Sequence, residues 1–335
     1  MTRVRTASPA SLRRRDLVRW GLLGGATILV TPRGHAQQSR LAARIGVLLP
    51  VPGNDQFLTS LHDGLRDAGL AGDDVTLEVR RADGTVAAFQ RLGHELAALP
   101  VAVLVTASTA AASALAQVTT TIPIVFVGTF DPVAAGLVAS LNHPGRNLTG
   151  IAGFQADIAS KWVSQLKEIA PGVGRMVMLS NPASVSAAAL AGWKAVASQS
   201  IDISEVHVET VADIDRVVAD VARDARNGMI VVPHTFPFAN RKAVVDAMAR
   251  HRLPAIYGIA EMVRSGGLVS YGQDLAAQWR MSAVYIARIL HGAKPADLPV
   301  RYADKSALAI NKGTASALGL VVPKAMIERA DEIID

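Results

Sequence analysis

Residues 101–127 read Val101-Ala-Val-Leu-Val-Thr-Ala-Ser-Thr-Ala-Ala-Ala-Ser-Ala-Leu-Ala-Gln-Val-Thr-Thr-Thr-Ile-Pro-Ile-Val-Phe-Val127. Here 101–106 is a short β-branched run of strand length, 108–118 an alanine-rich run of helix length opened by a hydroxyl, and 124–127 a second apolar strand. Strand, helix, strand in so few residues requires a right-handed crossover and a parallel pair. Upstream the alternation continues, with strands at 45–49 and 75–80 and helices at 56–68 and 86–99. A chain of this pattern is predicted to form a parallel doubly wound sheet.

A second series follows residue 150. Helices are predicted at 158–170, 183–198, 211–226 and 239–251, and strands at 175–179, 203–207, 229–232, 255–257 and 267–271. A long helix over 274–290 ends at the turn 295–299, after which 300–310 reads as a strand, 313–318 as a short helix and 323–334 as a terminal helix. The fold class expected is therefore α/β, with two Rossmann-like lobes of parallel sheet and a cleft between them. Residues 142–147, Asn-His-Pro-Gly-Arg-Asn, stand as either a hinge strand or an ordinary surface turn.

The 335 residues carry 34 Lys and Arg against 28 Asp and Glu, a net charge of +6. Seven of the basic residues, Arg3, Arg5, Arg13, Arg14, Arg15, Arg19 and Arg33, lie in the first 36 positions against the single Asp16. That segment accounts for the whole +6, and the remainder is neutral with 27 charges of each sign. Bulk charge therefore gives no reason to expect nucleic-acid binding. The same segment has the plan of a signal peptide: a basic start, an apolar run over 21–30, and Gly34 and Ala36 at −3 and −1. Arg14-Arg15-Asp16-Leu17-Val18 is similar to a twin-arginine export motif. The expectation is a leader over 1–36, a periplasmic location and a mature chain that does not span a membrane. A basic N-terminal anchor is the alternative reading.

Half the residues are hydrophobic and 19% charged, so a packed core is expected and disorder is not. There is no cysteine, which excludes disulfides, thiolate metal sites and cysteine nucleophiles. Neither Gly-x-x-x-x-Gly-Lys-Ser/Thr, Gly-x-Gly-x-x-Gly nor Gly-x-Ser-x-Gly occurs in the mature part, and the eight histidines show no ligand spacing. No cofactor, metal or catalytic residue is expected. What remains is a set of polar residues following predicted strands, the edge where open α/β sheets bind ligands. Ser108 and Thr109 follow the strand at 101–106, and Asp131 follows the one beginning at 124. Asn181 comes after the strand ending at Leu179, and His234 and Thr235 after the one ending at Val232. Tyr257 and Glu261 follow the next, and Tyr271, Gln273 and Asp274 the last. Ser108 and Asp131 read equally as helix caps. Phe236, Phe238 and Trp162 are either cleft aromatics or core.

Several stretches resemble the ABC-transporter substrate-binding proteins of the type I periplasmic-binding-protein fold. They are 122–127 with 131–138, the run 144–150, the run 266–272, then 289–299, Ile310-Asn-Lys, 317–320 and 329–333. The resemblance covers nearly the whole mature chain and is to a family whose better-understood members bind aromatic amino acids. It implies two lobes joined by three hinge crossings, the first taking 40–148 plus about 275–305 and the second 149–274 plus about 306–335. By the same resemblance Ser108 and Thr109 would anchor an amino-acid carboxylate, and Glu261 or Asp131 its amine. The function implied is capture of a small ligand, an amino acid or a related molecule, by a monomer that delivers it to a membrane permease. A periplasmic sensor presenting its ligand to a membrane receptor and an exported α/β enzyme are the alternatives.

Overall fold

The computed structural model describes residues 42–335 except 54, 71, 154–156, 183–184, 186 and 303–305. The leader expected over 1–36 lies outside the described residues. Chain order is β1 (Ala43–Leu49), α1 (Asp55–Asp67), β2 (Val75–Arg81), α2 (Val86–Ala97), β3 (Val103–Ala107), α3 (Thr109–Val118), β4 (Ile124–Thr129) and β5 (Leu148–Ala152). Then come α4 (Ile158–Ile169), β6 (Arg175–Ser180), α5 (Ala187–Ala197), β7 (Asp202–His207), α6 (Val211–Val221), β8 (Asn227–Val231), α7 (Thr235–Ala239), α8 (Arg241–Arg250), β9 (Ala255–Tyr257), α9 (Ala260–Arg264) and β10 (Val269–Gln273). The tail consists of α10 (Leu275–Leu290), β11 (Arg301–Tyr302), β12 (Ser306–Asn311), α11 (Lys312–Ala317), α12 (Lys324–Arg329) and β13 (Glu332–Ile334).

The strands form two sheets, ordered β11-β5-β4-β3-β1-β2 and β13-β12-β10-β9-β8-β6-β7. Every pairing in the first is parallel. In the second, β12 runs antiparallel to β10 while the other neighbours are parallel. Both faces of each sheet are covered by helices, which is why β1 and β4 read as unbroken apolar runs with no alternation. The chain passes between the sheets after β5, between β10 and α10, and between β11 and β12.

The tail differs from its sequence reading in two places. The strand expected over 300–310 is two strands in different sheets. The helix expected over 323–334 stops at Arg329, and Glu332–Ile334 pairs with β12. Residues 142–147 pack within the first half and form no crossing. There Asn147 donates its side-chain amide to the carbonyls of Thr119 and Ile122 at 3.2 and 2.8 Å. The first sheet then continues through β5 to Ala152.

One close approach positions the site. Helix α10 packs along α1 and against β4 and β5. A Cβ on Gly64 of α1 would run into the Arg280 carbonyl and the Ala283 side chain of α10, both carbons lying at 2.9 Å. Glycine at 64 lets the two backbones nearly touch, which brings Phe57 of α1 and Trp279 of α10 together at one end of the pair. Their rings stack with centroids 6.1 Å apart and planes inclined by 6°.

Candidate ligand-binding cleft

The carboxyl ends of the central strands of both sheets open on one cavity of about 630 Å³, counting the solvent at its mouth. From the first half it is lined by Pro50 and Val51 after β1, Ala107 and Ser108 at the end of β3, Val127, Gly128 and Phe130 at the end of β4, and Phe57 of α1. From the second come Pro233, His234 and Thr235 after β8, Phe238, Ile259 after β9, and Gln273 closing β10. Gly153, Leu275 and Trp279 complete it. The lining is almost wholly apolar. Phe130 meets Trp193 of α5 edge-on at 5.3 Å, so a residue carried by the first sheet docks on a helix of the second.

Ser108 ends β3 with φ 74° and ψ 152°, a backbone region essentially reserved for glycine. It is held there because its N–H donates to the Val127 carbonyl at 3.1 Å and its Oγ accepts the Ala111 N–H at 3.3 Å, capping α3. The kink turns the start of α3 toward the cavity. Relief of this strain, about 1–3 kcal/mol, exceeds the few tenths lost when a serine cap becomes glycine. Ser108→Gly is therefore expected to raise unfolding stability by about 1 kcal/mol in urea titrations. Ser108→Ala keeps the strain, loses the cap and should lower it by about the same. A Ser108→Gly protein less stable than the wild type would contradict the strain.

His234 is 6% exposed. Its Nε2 accepts the backbone N–H of Asn181 at 3.2 Å, and burial pushes its pKa down to about 3. The ring is therefore neutral near pH 7. With the Nε2 lone pair engaged, the proton sits on Nδ1, and this atom has no partner among the described residues. The same holds for Trp279 Nε1 and Thr235 Oγ1, at 0% and 5% exposure. Buried polar atoms normally find a partner. Among the described residues six such atoms lack one, three of them on these cavity-lining residues and three, Thr129 Oγ1, Ser270 Oγ and Gln278 Oε1, on residues outside the lining. Gln273 is satisfied within the protein: its Nε2 donates to the Gly153 carbonyl at 2.8 Å and its Oε1 accepts from Gln278.

Of the residues singled out in the sequence, Ser108, His234, Thr235 and Gln273 line the cavity, as does Phe238. Others support it from behind. Thr109 Oγ1 accepts the Phe130 N–H at 3.0 Å and so holds the Phe130 loop. Asn181 orients His234, its own amide donating to the Val208 carbonyl at 2.8 Å. The remaining ones are placed elsewhere. Asp131 is exposed and its Oδ1 accepts the Ala134 N–H, while Asp274 is exposed and caps α10 through the Ala277 N–H. Tyr257 is fully buried core against Gly267, and burial raises its phenol pKa. Tyr271 packs in the second core, where its carbonyl accepts Trp162 Nε1–H at 2.8 Å, so Trp162 is core too. Phe236 packs against the core without lining the cavity.

Glu261 does not line the cavity. Its Oε1 accepts from Gln56 Nε2 of α1 at 3.1 Å and pairs with Arg264 at 3.2 Å. It is thus a bridge between the two halves, and burial raises its pKa, a shift only partly offset by Arg264. Phe57, Leu275 and Trp279 were not among the residues singled out, because they sit on helix faces that read simply as core.

Residues 44–334 match the family described as ABC transporter substrate binding protein. The chain belongs to that family. Among solved structures, this family member is similar to an ABC domain in complex with L-Trp from Streptococcus pneumonia, at 26% identity and TM-score 0.81, covering 88% of this chain and 100% of that one. A conserved domain protein from Vibrio cholerae gives 29% identity and TM-score 0.80 over 87% and 99% of the two chains. A tyrosine-binding protein of Clostridioides difficile is 22% identical over 288 residues, which are 84% of this chain and 82% of the relative. A small-molecule ligand is thus the partner common to this family, and the fold is that of periplasmic binding proteins.

Proposed function

We propose that this chain is an extracytoplasmic solute-binding protein that encloses a small, largely apolar ligand between its two sheets and delivers it to an ABC-type permease. The observation that carries the reading is a cavity whose walls come from both sheets. A ligand that touches both walls favours the closed arrangement by its differential affinity, and the permease then reads closure. Residues 1–36 are read as the export leader, so the exported protein is expected to begin at Gln37 by mass spectrometry. Ligand capture is tested by screening amino acids, aromatic acids, sugars and short peptides for thermal stabilisation of the full chain. A stabilising compound recovered unchanged, with compaction in solution scattering, is the expected result. Its conversion to product, or the absence of any stabilising compound, would overturn the reading.

The Gln56–Glu261 bridge gives a pH signature in the ligand-free protein. A carboxyl whose pKa is higher folded than unfolded contributes stability below its unfolded value and loses it as pH rises toward the folded value. The wild type should therefore lose stability relative to Glu261→Gln as pH rises from the ordinary carboxylate range. Parallel melting curves for the two proteins across that range would show that Glu261 is not desolvated.

A further inference from the structure

Resting on the reading of this cleft as the capture site, we infer that Phe130 is the ring that holds the two halves together, so that the closed arrangement is already populated in the free protein and a ligand selects it. Phe130 belongs to the first half by chain and to the second by packing. Its backbone is fixed just after β4 by Thr109 of α3, whose Oγ1 accepts the Phe130 N–H at 3.0 Å and donates to the Phe130 carbonyl at 3.4 Å. Its ring packs against the buried cluster of the second half that contains Trp162 and Trp193, and it meets Trp193 with the two planes at 89°. Trp193 is 3% exposed and rests in turn on Trp162, with ring centroids 5.9 Å apart. The first half thus contributes one ring to an aromatic stack that the second half otherwise builds alone.

The backbone here is shaped to aim this side chain. The register of β4 against β5 shifts between Val127 and Thr129, with Gly128 between them at a φ of 64°. A bulge of this kind redirects the side chains around it. Asp131 follows at a φ of 35°, left-handed for a residue other than glycine, and such backbone persists only where its surroundings over-determine it. The ring also touches the first passage of the chain between the sheets, since a Cβ on Gly153 would lie 2.9 Å from Phe130 Cδ1. Phe130 therefore meets the crossing, the second-half tryptophans and the cavity at once. Turning one half against the other draws the ring off Trp193 and exposes apolar surface to water, which is unfavourable. The hydrogen bond between Gln56 and Glu261 is a weaker restraint, because Gln56 is exposed and exchanges its partner for water on opening.

Distance measurement between two spin labels on the full chain tests this. The sequence has no cysteine, so Val86→Cys and Val211→Cys carry the only labels. Both valines are exposed, open α2 and α6 in opposite halves, and follow the carboxyl ends of strands, the side on which the cleft opens. Without added ligand, the labelled protein is expected to show mainly the short distance of the closed arrangement. Adding Phe130→Ala should lower the ratio of closed to open by about 10-fold, the scale of an edge-on aromatic pair with its buried area. Trp193→Ala should lower it as much, and the two together little more than either, as a direct contact requires. If an alanine variant does not fold, Thr109→Val, which frees the Phe130 backbone and removes no ring, should move the ratio the same way. A distribution that these changes leave as it was, effects of the two rings that simply add, or a wild type as open as the Phe130→Ala variant, overturns the inference and leaves ligand capture to the thermal screen. If instead Phe130→Ala opens the chain while the screen finds no stabilising compound, the closing contact stands and the capture reading falls.

Discussion

Trp279→Ala is expected to lower unfolding stability by about 3–5 kcal/mol, the cost of truncating a fully buried aromatic. The side chain is 0% exposed, stacks on Phe57 and forms part of the seam between α1 and α10. That seam cannot close over the void, because Gly64 already brings the two backbones into contact. The same substitution removes one wall of the cleft, so ligand-induced stabilisation should disappear along with much of the stability. Trp279→Phe separates the two roles. It keeps a ring to stack on Phe57 and removes part of the indole volume together with an N–H that has no partner among the described residues, so its stability loss should be smaller, about 2 kcal/mol. Denaturant titration of both variants checks this, and an alanine variant within about 1 kcal/mol of the wild type would show that α1 and α10 are loosely packed.

The second large effect is acid sensitivity through His234. Its pKa falls from an ordinary value near 6.5 to about 3 because burial penalises the charged ring. A group that is depressed in the folded state stabilises the protein above its unfolded pKa. Between 6.5 and 3 the unfolded chain takes up the proton and the folded one does not, so stability is lost as pH falls through that window. At about 1.4 kcal/mol per unit, the loss attributable to this one ring approaches 4–5 kcal/mol at the acid end. The comparison is with His234→Gln, whose carbonyl can accept the Asn181 N–H in place of the imidazole. The stability difference between the two proteins should shift in favour of the variant as pH drops from 7 to 4. A difference that stays constant with pH would mean that the ring is protonated in the folded protein and that its Nδ1–H is no fixed neutral donor. Glu261 moves stability in the opposite direction with pH, which makes paired variants more informative than a single profile.

Much of the architecture was legible because it depends on short-range patterns. The strands through β4 announce themselves as apolar runs of the right length, and the helices between them as alanine-rich stretches with a cap such as Thr85 or Ser108. What escaped were elements that exist only because a neighbour is present. Glu332–Ile334 is three residues long and continues the helical pattern of α12. It becomes a strand because β12 offers an unpaired edge in parallel register. Leu148–Ala152 lies directly behind a turn-rich stretch and contains Gly150, whose backbone φ of 148° and contact with Phe126 leave no room for a side chain. Its strand character comes from insertion between β4 and β11.

At the site the division is of the same kind. That polar residues recur after successive strands was visible in the chain, and Ser108, His234 and Thr235 do line the cleft. The carboxylates singled out beside them do not, for a local reason in two cases. Asp131 and Asp274 each find a backbone N–H three residues on, a partner that the next turn of chain always provides. For Glu261 the reason is tertiary, since Gln56 lies 205 residues away in sequence. The sequence by itself determined most of the order of strands and helices, the neutrality of the chain beyond residue 36 and the edge at which polar groups gather, because each follows from spacing and composition alone. Only the tertiary structure decided which of those groups remain without partners, because a hydrogen bond left open in a cavity depends on what the rest of the fold fails to bring there.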